Sequence, residues 1–172
     1  MRSGRFVVLL ASILLAACSA ALDWREVRAP DGGFSVLMPQ KPGKSERSLA
    51  TPAGPVTMRM LAARVGDSIF GVGVADFAAA PDAALRDGLR DALVKNLNGR
   101  LISDRPVANG AATGQEIVVV GSSGRGDQSV TVVLRARLLY TGARYFQVAT
   151  VSREGTLPEA DAEMFLASFR PN

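Results

Sequence analysis

The 172-residue sequence contains no histidine, so its arginines and carboxylates are the main candidates for taking part in chemistry. Without an imidazole, the chain lacks the side chain whose pKa best suits a general base near neutral pH. Ser-His-Asp and Cys-His nucleophiles are therefore excluded, together with the histidine sites of most catalytic zinc ions. No lysine has a serine three residues before it. We predict that the protein is not an enzyme, and an enzyme that uses carboxylates alone is the remaining catalytic alternative.

Two groups of acidic residues have spacings that could bring carboxylates together. Asp87 and Asp91 are four residues apart in a predicted helix and could hold a cation, but basic residues at helical spacing favour a surface of ion pairs. Glu159, Asp161 and Glu163 recur at every second residue, and a helix would spread them around its axis. We therefore predict no metal site and no cofactor.

Three arginines are the candidates for binding a partner. Arg135 and Arg137 alternate with apolar residues along a predicted strand, so they share one face of it. Arg59 occupies a similar position in another predicted strand. A guanidinium can bind a carboxylate or phosphate through two parallel hydrogen bonds, which would suit an anionic ligand or a protein partner. The alternative is that the arginine stems only cover an exposed sheet surface.

The first 17 residues have the composition of an export signal. Arg2 and Arg5 precede an apolar run from Phe6 to Ala17 that only Ser12 interrupts. This run is too short to span a bilayer, since a membrane-spanning helix needs about 20 residues. We predict a signal peptide at residues 1–17.

The apolar run ends in Leu15-Ala16-Ala17-Cys18, which resembles the lipobox of bacterial lipoproteins, and Cys18 is the only cysteine of the chain. The resemblance implies that the Cys18 thiol receives a diacylglycerol, that residues 1–17 are removed and that the new amine is acylated. Two or three acyl chains hold a protein on a membrane durably. The alternative is ordinary signal-peptidase cleavage after Ala20 or Ala21, with no lipid attached.

The same resemblance predicts a location in the cell envelope, facing the periplasm. Ser19 stands where an aspartate is associated with retention in the inner membrane, so the outer membrane is favoured. Removal of residues 1–17 lowers the net charge from +4 to +2, because two arginines leave with them. The remaining basic residues are scattered, and we predict no nucleic-acid partner.

Hydropathy patterns predict a short tether at 18–23, which the lipobox resemblance implies is lipidated, and a single domain at 24–172. Short alternating strands dominate the domain. Leucines at helical spacing predict a helix over Asp82 to Asn98, and a second helix is predicted to start at Thr156, with Glu159 completing a capping box. The expected fold class is α+β, with a largely antiparallel β-sheet flanked by about two α-helices.

Two segments of the domain resemble PsbP-like and DcrB-like proteins. Gly33-Phe34-Ser35-Val36-Leu37-Met38-Pro39 looks like their opening strand, and Phe165-Leu166-Ala167-Ser168-Phe169 is similar to their final helix. The order of strands and helices between the two segments also fits. The resemblance implies an antiparallel sheet flanked by helices and, in bacteria, often a small envelope lipoprotein. It implies no catalytic residues.

Three functions follow as hypotheses. The first is a non-catalytic, lipid-anchored cell-envelope protein that binds or helps to assemble another envelope component. The second is a periplasmic lipoprotein that carries a small ligand in a pocket between sheet and helix, lined by Met58 and Met60. The third is the carboxylate-only enzyme. A pocket of about 300 Å³ or more would favour the carrier, since ligand pockets start near that size.

Overall fold

The protein is described by a computed structural model that covers residues 22–124 and 126–172. The predicted signal peptide, the lipobox and most of the tether lie outside the described residues. Within the covered part of the chain, two helices and ten strands follow one another in this order: β1 (Arg25–Ala29), β2 (Phe34–Met38), β3 (Gly43–Leu49), β4 (Val56–Val65), β5 (Ser68–Asp76), α1 (Ala83–Asn96), β6 (Arg100–Asn109), β7 (Ala112–Ser123), β8 (Val130–Thr141), β9 (Arg144–Arg153), α2 (Glu159–Ser168) and β10 (Arg170–Pro171).

Most strands belong to one antiparallel sheet of seven, in the order β3-β4-β5-β9-β8-β7-β6. Three of its hairpins turn at Gly66, Gly110 and Gly142, which adopt the positive φ values that tight turns demand. A second, small sheet has the order β1-β2-β10 and is also antiparallel. The predicted α+β class, with a large antiparallel sheet and two helices, is confirmed.

The two faces of the seven-stranded sheet are covered by different elements. The small sheet and α2 pack on one face, where alternate residues of β2 (Phe34, Val36 and Met38) are buried against β5 and β9. Helix α1 packs on the other face through Leu89 and Leu93. The protein is thus a layered sandwich in which both faces of the central sheet are apolar.

Phenylalanines join the small sheet, α2 and the large sheet into one aromatic core. Phe34 on β2 lies 5.5 Å from Phe169, and Phe169 lies 5.2 Å from Phe146 on β9, measured between ring centroids. Phe165 on α2 meets Phe70 on β5 edge to face at 5.4 Å. Such ring pairs add about 0.5–1.5 kcal/mol each to the area that they bury.

Helix α1 is capped at both ends by residues of its own sequence. The Asp82 carboxylate accepts a hydrogen bond from the Leu85 N–H at 2.8 Å, which stabilises the first turn. Asn98 adopts a left-handed conformation just beyond the helix, with φ of 45°. Gly99 and Gly121 then let the end of the helix contact the sheet, because a Cβ at Gly121 would lie 2.4 Å from the Leu97 carbonyl oxygen.

Helix α2 starts later than predicted. It begins at Glu159, after Pro158 at the N-cap, and no side chain caps it. The Thr156 hydroxyl instead donates to the Arg153 carbonyl oxygen at 2.8 Å, within the turn that follows β9. The predicted capping box is therefore wrong, because the threonine is used in a turn that precedes the helix.

Candidate functional site

A cleft of about 680 Å³ lies between the two sheets. One wall is formed by β1 and the 3₁₀ turn over Pro30–Gly32. The opposite wall is formed by the start of β3 and the neighbouring part of β4. Ligand sites commonly have volumes of about 300–1,000 Å³, so the cleft is large enough for a small organic ligand.

The interior of the cleft is apolar. Its base is formed by three buried side chains of the core between the two sheets, namely Phe34, Val72 and Val74. Val27 and Leu61 are half-buried and line the cleft from opposite sheets, while packing against the same core. A ligand that enters this space would therefore exchange water for hydrocarbon over part of its surface.

Charged side chains surround the apolar interior. Five lining residues are cationic and three are acidic, which leaves two excess positive charges. Three of the five cations are arginines that already face carboxylates of the chain: Arg25 pairs with Asp23, Arg28 with Glu26 and Arg59 with Asp76. Asp23 and Asp76 do not line the cleft, and when these two acids are counted the positive and negative charges at the cleft balance.

Lys41 and Lys44 are the other two cations of the cleft. Both side chains are exposed, and neither forms a salt bridge with any of the described residues. Lys44 is paired in register with Leu61, so its side chain is on the cleft side of the large sheet. The chain has only three lysines, and two of them are at this site.

The three candidate arginines do share one face of the large sheet. Register pairs connect Arg135 to Thr150, Arg137 to Val148 and Arg59 to Val74, and all of these residues lie on the side covered by α2 and the small sheet. That face is largely covered, so the surface expected from the sequence is not open. Of the three arginines, Arg59 lines the cleft.

Arg137 belongs to a network of ion pairs that fastens α2 to the sheet. Its Nε donates to Glu116 Oε2 at 2.7 Å, its Nη2 to Glu163 Oε1 at 2.6 Å and its Nη1 to the Leu166 carbonyl oxygen at 3.1 Å. Arg105 on the edge strand β6 pairs with the other oxygen of Glu116. The guanidinium of Arg137 is 11% exposed and fully engaged, so its role in the fold is structural.

Arg135 is more accessible and makes one ion pair, with Glu159 at 3.2 Å. Glu159 and Glu163 are one turn apart on the same face of α2, and they bind two arginines that are two residues apart on β8. On α1, Asp87 and Asp91 both pair with Arg90, at 3.1 and 2.9 Å. These acidic groups are parts of ion-paired surfaces.

Asp76 and Arg144 form a hydrogen-bonded ion pair near the cleft. Asp76 ends β5, and its carboxylate accepts hydrogen bonds from the Arg144 guanidinium on β9 and from Arg59 on β4. The hydrogen bond from Arg144 lowers the pKa of Asp76 below its usual value of 3.8. The carboxylate thus stays charged at neutral pH and holds Arg59 beside the cleft.

A smaller cavity of about 340 Å³ lies between α1 and the large sheet. Tyr145 and Gln147 line it, and the Tyr145 hydroxyl lies 3.4 Å from the Gln147 amide oxygen. Burial raises the pKa of Tyr145 well above its usual value and that of the neighbouring Tyr140 to about 12. The Tyr140 hydroxyl has no hydrogen-bond partner among the described residues. Both phenols therefore stay neutral at neutral pH.

The two methionines expected to line a pocket are placed differently. Met58 is fully buried in the core beneath α1, where its sulfur lies against Gly73. Met60 is half-buried and contributes to the lining of the cleft. The larger cavity is therefore between two sheets rather than between sheet and helix.

The cleft could not be predicted from the sequence, because its walls come from strands that join different sheets. One signal for it was available in the composition. Arginine is the basic residue used almost everywhere in this chain, whereas Lys41 and Lys44 stand three residues apart next to Pro42. The Glu116 network had a weaker signal, namely an acid at the start of the apolar run of β7.

Within residues 22–124 and 126–172, no helix is long and apolar enough to cross a bilayer. Comparison of the sequence with protein-family models and with curated proteins gives no match.

Proposed function

We propose that this protein is a non-catalytic, lipid-anchored protein of the cell envelope that binds a small ligand in the cleft between its two sheets. The proposal combines the lipoprotein features of residues 1–18 with the carrier hypothesis of the sequence analysis. We also propose that the layered sandwich has a PsbP-like fold. The two segments that carry that resemblance touch each other, since the Leu37 N–H donates to the Ser168 hydroxyl at 3.0 Å.

The single observation behind the proposal is the 680 Å³ cleft with its apolar interior and charged edge. The arginines that could have bound a protein partner have other roles: Arg137 is buried in an ion-pair network, and Arg135 faces Glu159. The chain has no histidine to move protons near neutral pH, and its two tyrosines are held in the neutral form. Binding without catalysis suits such a site best.

A substitution that fills the cleft tests the binding site. Ala29 on β1 is half-buried and lines the cleft, so Ala29→Phe would place a ring in the ligand space. Ala79→Phe is the matched control, because Ala79 is exposed in the loop before α1 and does not line the cleft. Thermal denaturation followed by circular dichroism checks that both variants are folded.

The measurement is the content of small molecules that stay bound when the full-length protein is purified from membranes, read by mass spectrometry. We expect the wild type and Ala79→Phe to retain the same compounds, and Ala29→Phe to retain about a tenth as much or less, because steric exclusion removes most contacts. Equal content in a folded Ala29→Phe variant would contradict the proposal.

The membrane anchor is tested independently through Cys18. Labelling with radioactive palmitate and cell fractionation should show a labelled, membrane-bound wild type, whereas Cys18→Ser should lose the label. A Cys18→Ser protein that keeps both the label and its membrane association would overturn the lipoprotein assignment.

A further inference from the structure

We infer that the ligand of the cleft is an anionic amphiphile, that is, an acyl chain with a carboxylate or phosphate head. This inference rests on the proposed function and names the class of ligand that the same site would bind. The hydrocarbon chain would contact the apolar interior between Val27 and Leu61, and the head would lie at Lys41 and Lys44.

The two lysines of the cleft favour a negative head. The arginines at its edge are each balanced by an acid, but Lys41 and Lys44 face no carboxylate within salt-bridge distance among the described residues. Each lysine ammonium group is on its own flexible stem, so the two groups can bind a carboxylate or a phosphate without a fixed geometry. The lining acids Asp31 and Glu46 also form no salt bridge among the described residues, so a negative head is favoured by the closeness of the two lysines and not by a net charge.

The sheet edges argue against an extended peptide as the occupant. Strand β1 is at the edge of the small sheet and β3 at the edge of the large sheet, so both could in principle accept an added strand. However, Arg25, Glu26 and Arg28 fill most of β1, and β3 reads Gly-Lys-Ser-Glu-Arg-Ser-Leu. Charges on an edge strand are a common means of preventing further strand pairing.

The tether brings the lysines close to a membrane. Leu22, the first described residue, is four positions after Cys18, and four residue steps span at most about 14 Å. The Asp23 N–H donates to the Pro39 carbonyl oxygen at 3.0 Å, so the start of the domain lies beside the segment that leads to Lys41. With Cys18 lipidated, this end of the cleft would lie close to the lipid headgroups.

The test uses the full-length lipidated protein in phosphatidylcholine vesicles and two photoactivatable probes with the same chain, a palmitate analogue and a hexadecanol analogue. Crosslinked peptides are mapped by mass spectrometry. The informative variant is Lys41→Glu with Lys44→Glu, and the matched control is Lys95→Glu, which reverses the third lysine on α1. Unlabelled lysophosphatidic acid and unlabelled palmitate are compared as competitors, to tell a phosphate head from a carboxylate head.

We expect the palmitate probe to label residues of the cleft, and the double lysine variant to lose about tenfold in labelling, because opposite charge is replaced by like charge. Lys95→Glu should label like the wild type, and the hexadecanol probe should label weakly. Equal labelling by both probes, with no effect of the lysine variant, would overturn the anionic head but leave the cleft as a binding site. Unchanged labelling in Ala29→Phe would instead overturn the proposed function itself.

Discussion

The ion pair between Glu116 and Arg137 allows a quantitative test of how α2 is held on the sheet. Both side chains are largely buried, at 9% and 11% exposed, and the guanidinium bridges β7, β8 and α2. Removing one member of a buried pair typically costs about 3–5 kcal/mol, since the remaining charge is left uncompensated. Glu116→Gln keeps the size of the side chain and removes only its charge.

The expected cost here is smaller than that range. Arg137 would keep Glu163 and the Leu166 carbonyl oxygen as acceptors, and Arg105 is exposed enough to be hydrated by water. We therefore expect Glu116→Gln to lower the free energy of unfolding by about 2 kcal/mol, which is a fall in Tm of about 4–8 °C for a domain of this size. Urea denaturation of the purified protein, with an unchanged m value, is the assay.

Glu163→Gln is the matched control on the same guanidinium. The Glu163 side chain is 50% exposed, so its pair with Arg137 should be worth less than about 1 kcal/mol. A second comparison replaces Glu116 and Arg137 together by leucine, which should cost less than Glu116→Leu alone, because no buried charge is then left over. The reasoning would be refuted if Glu116→Gln changed stability by under about 0.5 kcal/mol, or less than Glu163→Gln.

Three further predictions concern other parts of the fold. Arg144 lowers the pKa of Asp76, so the charged carboxylate stabilises the fold fully above pH 3.8, and this stabilisation is lost as the pH falls through the lowered pKa. Asp76→Asn should therefore flatten the acid side of a curve of Tm against pH. The effect on the free energy of unfolding should be below about 1 kcal/mol and should shrink in high salt. Burial raises the pKa of Tyr140 to about 12, so the free energy of unfolding should fall as the pH rises above 10. The absorbance of ionised tyrosine at 295 nm should increase only as the protein unfolds. A rise at pH 10 in the folded protein would contradict the burial. Phe165 is fully buried, so Phe165→Ala should lower the free energy of unfolding by about 3–5 kcal/mol, measured by urea denaturation. Met164 is exposed, and Met164→Ala should change it by less than about 0.5 kcal/mol. Similar costs at both positions would contradict the packing of α2.

Local patterns were sufficient for the parts of the fold that depend on periodicity. The leucines of α1 predicted a helix whose observed range, Ala83–Asn96, differs from the expected one by one residue at the start and two at the end. The alternation along β8 correctly placed Arg135 and Arg137 on one face of the sheet. Periodicity states which residues share a face, but it does not state what covers that face, so the cover provided by α2 could not be predicted.

The small sheet and the cleft depend on contacts between distant parts of the chain. Strand β10 has only two residues and pairs with β2, about 135 positions earlier, so no sequence window contains its signal. The cleft arises because β1 and β3 join different sheets although only a few residues separate β2 from β3. The two lysines in the sequence indicated part of the chemistry of the site, whereas the shape of the cleft was revealed only by the three-dimensional structure.

The contact between Gly99 and Gly121 has a consequence for how this protein can change over evolutionary time. A Cβ at Gly99 would lie 2.7 Å from a methyl carbon of Val119, and one at Gly121 would meet the backbone at the end of α1. A side chain at Gly121 would have to lift that end of the helix away from the sheet, and one at Gly99 would press against Val119 and the Val120 carbonyl oxygen. The packing of the helix end against the sheet therefore favours glycine at two positions that lie outside the helix itself.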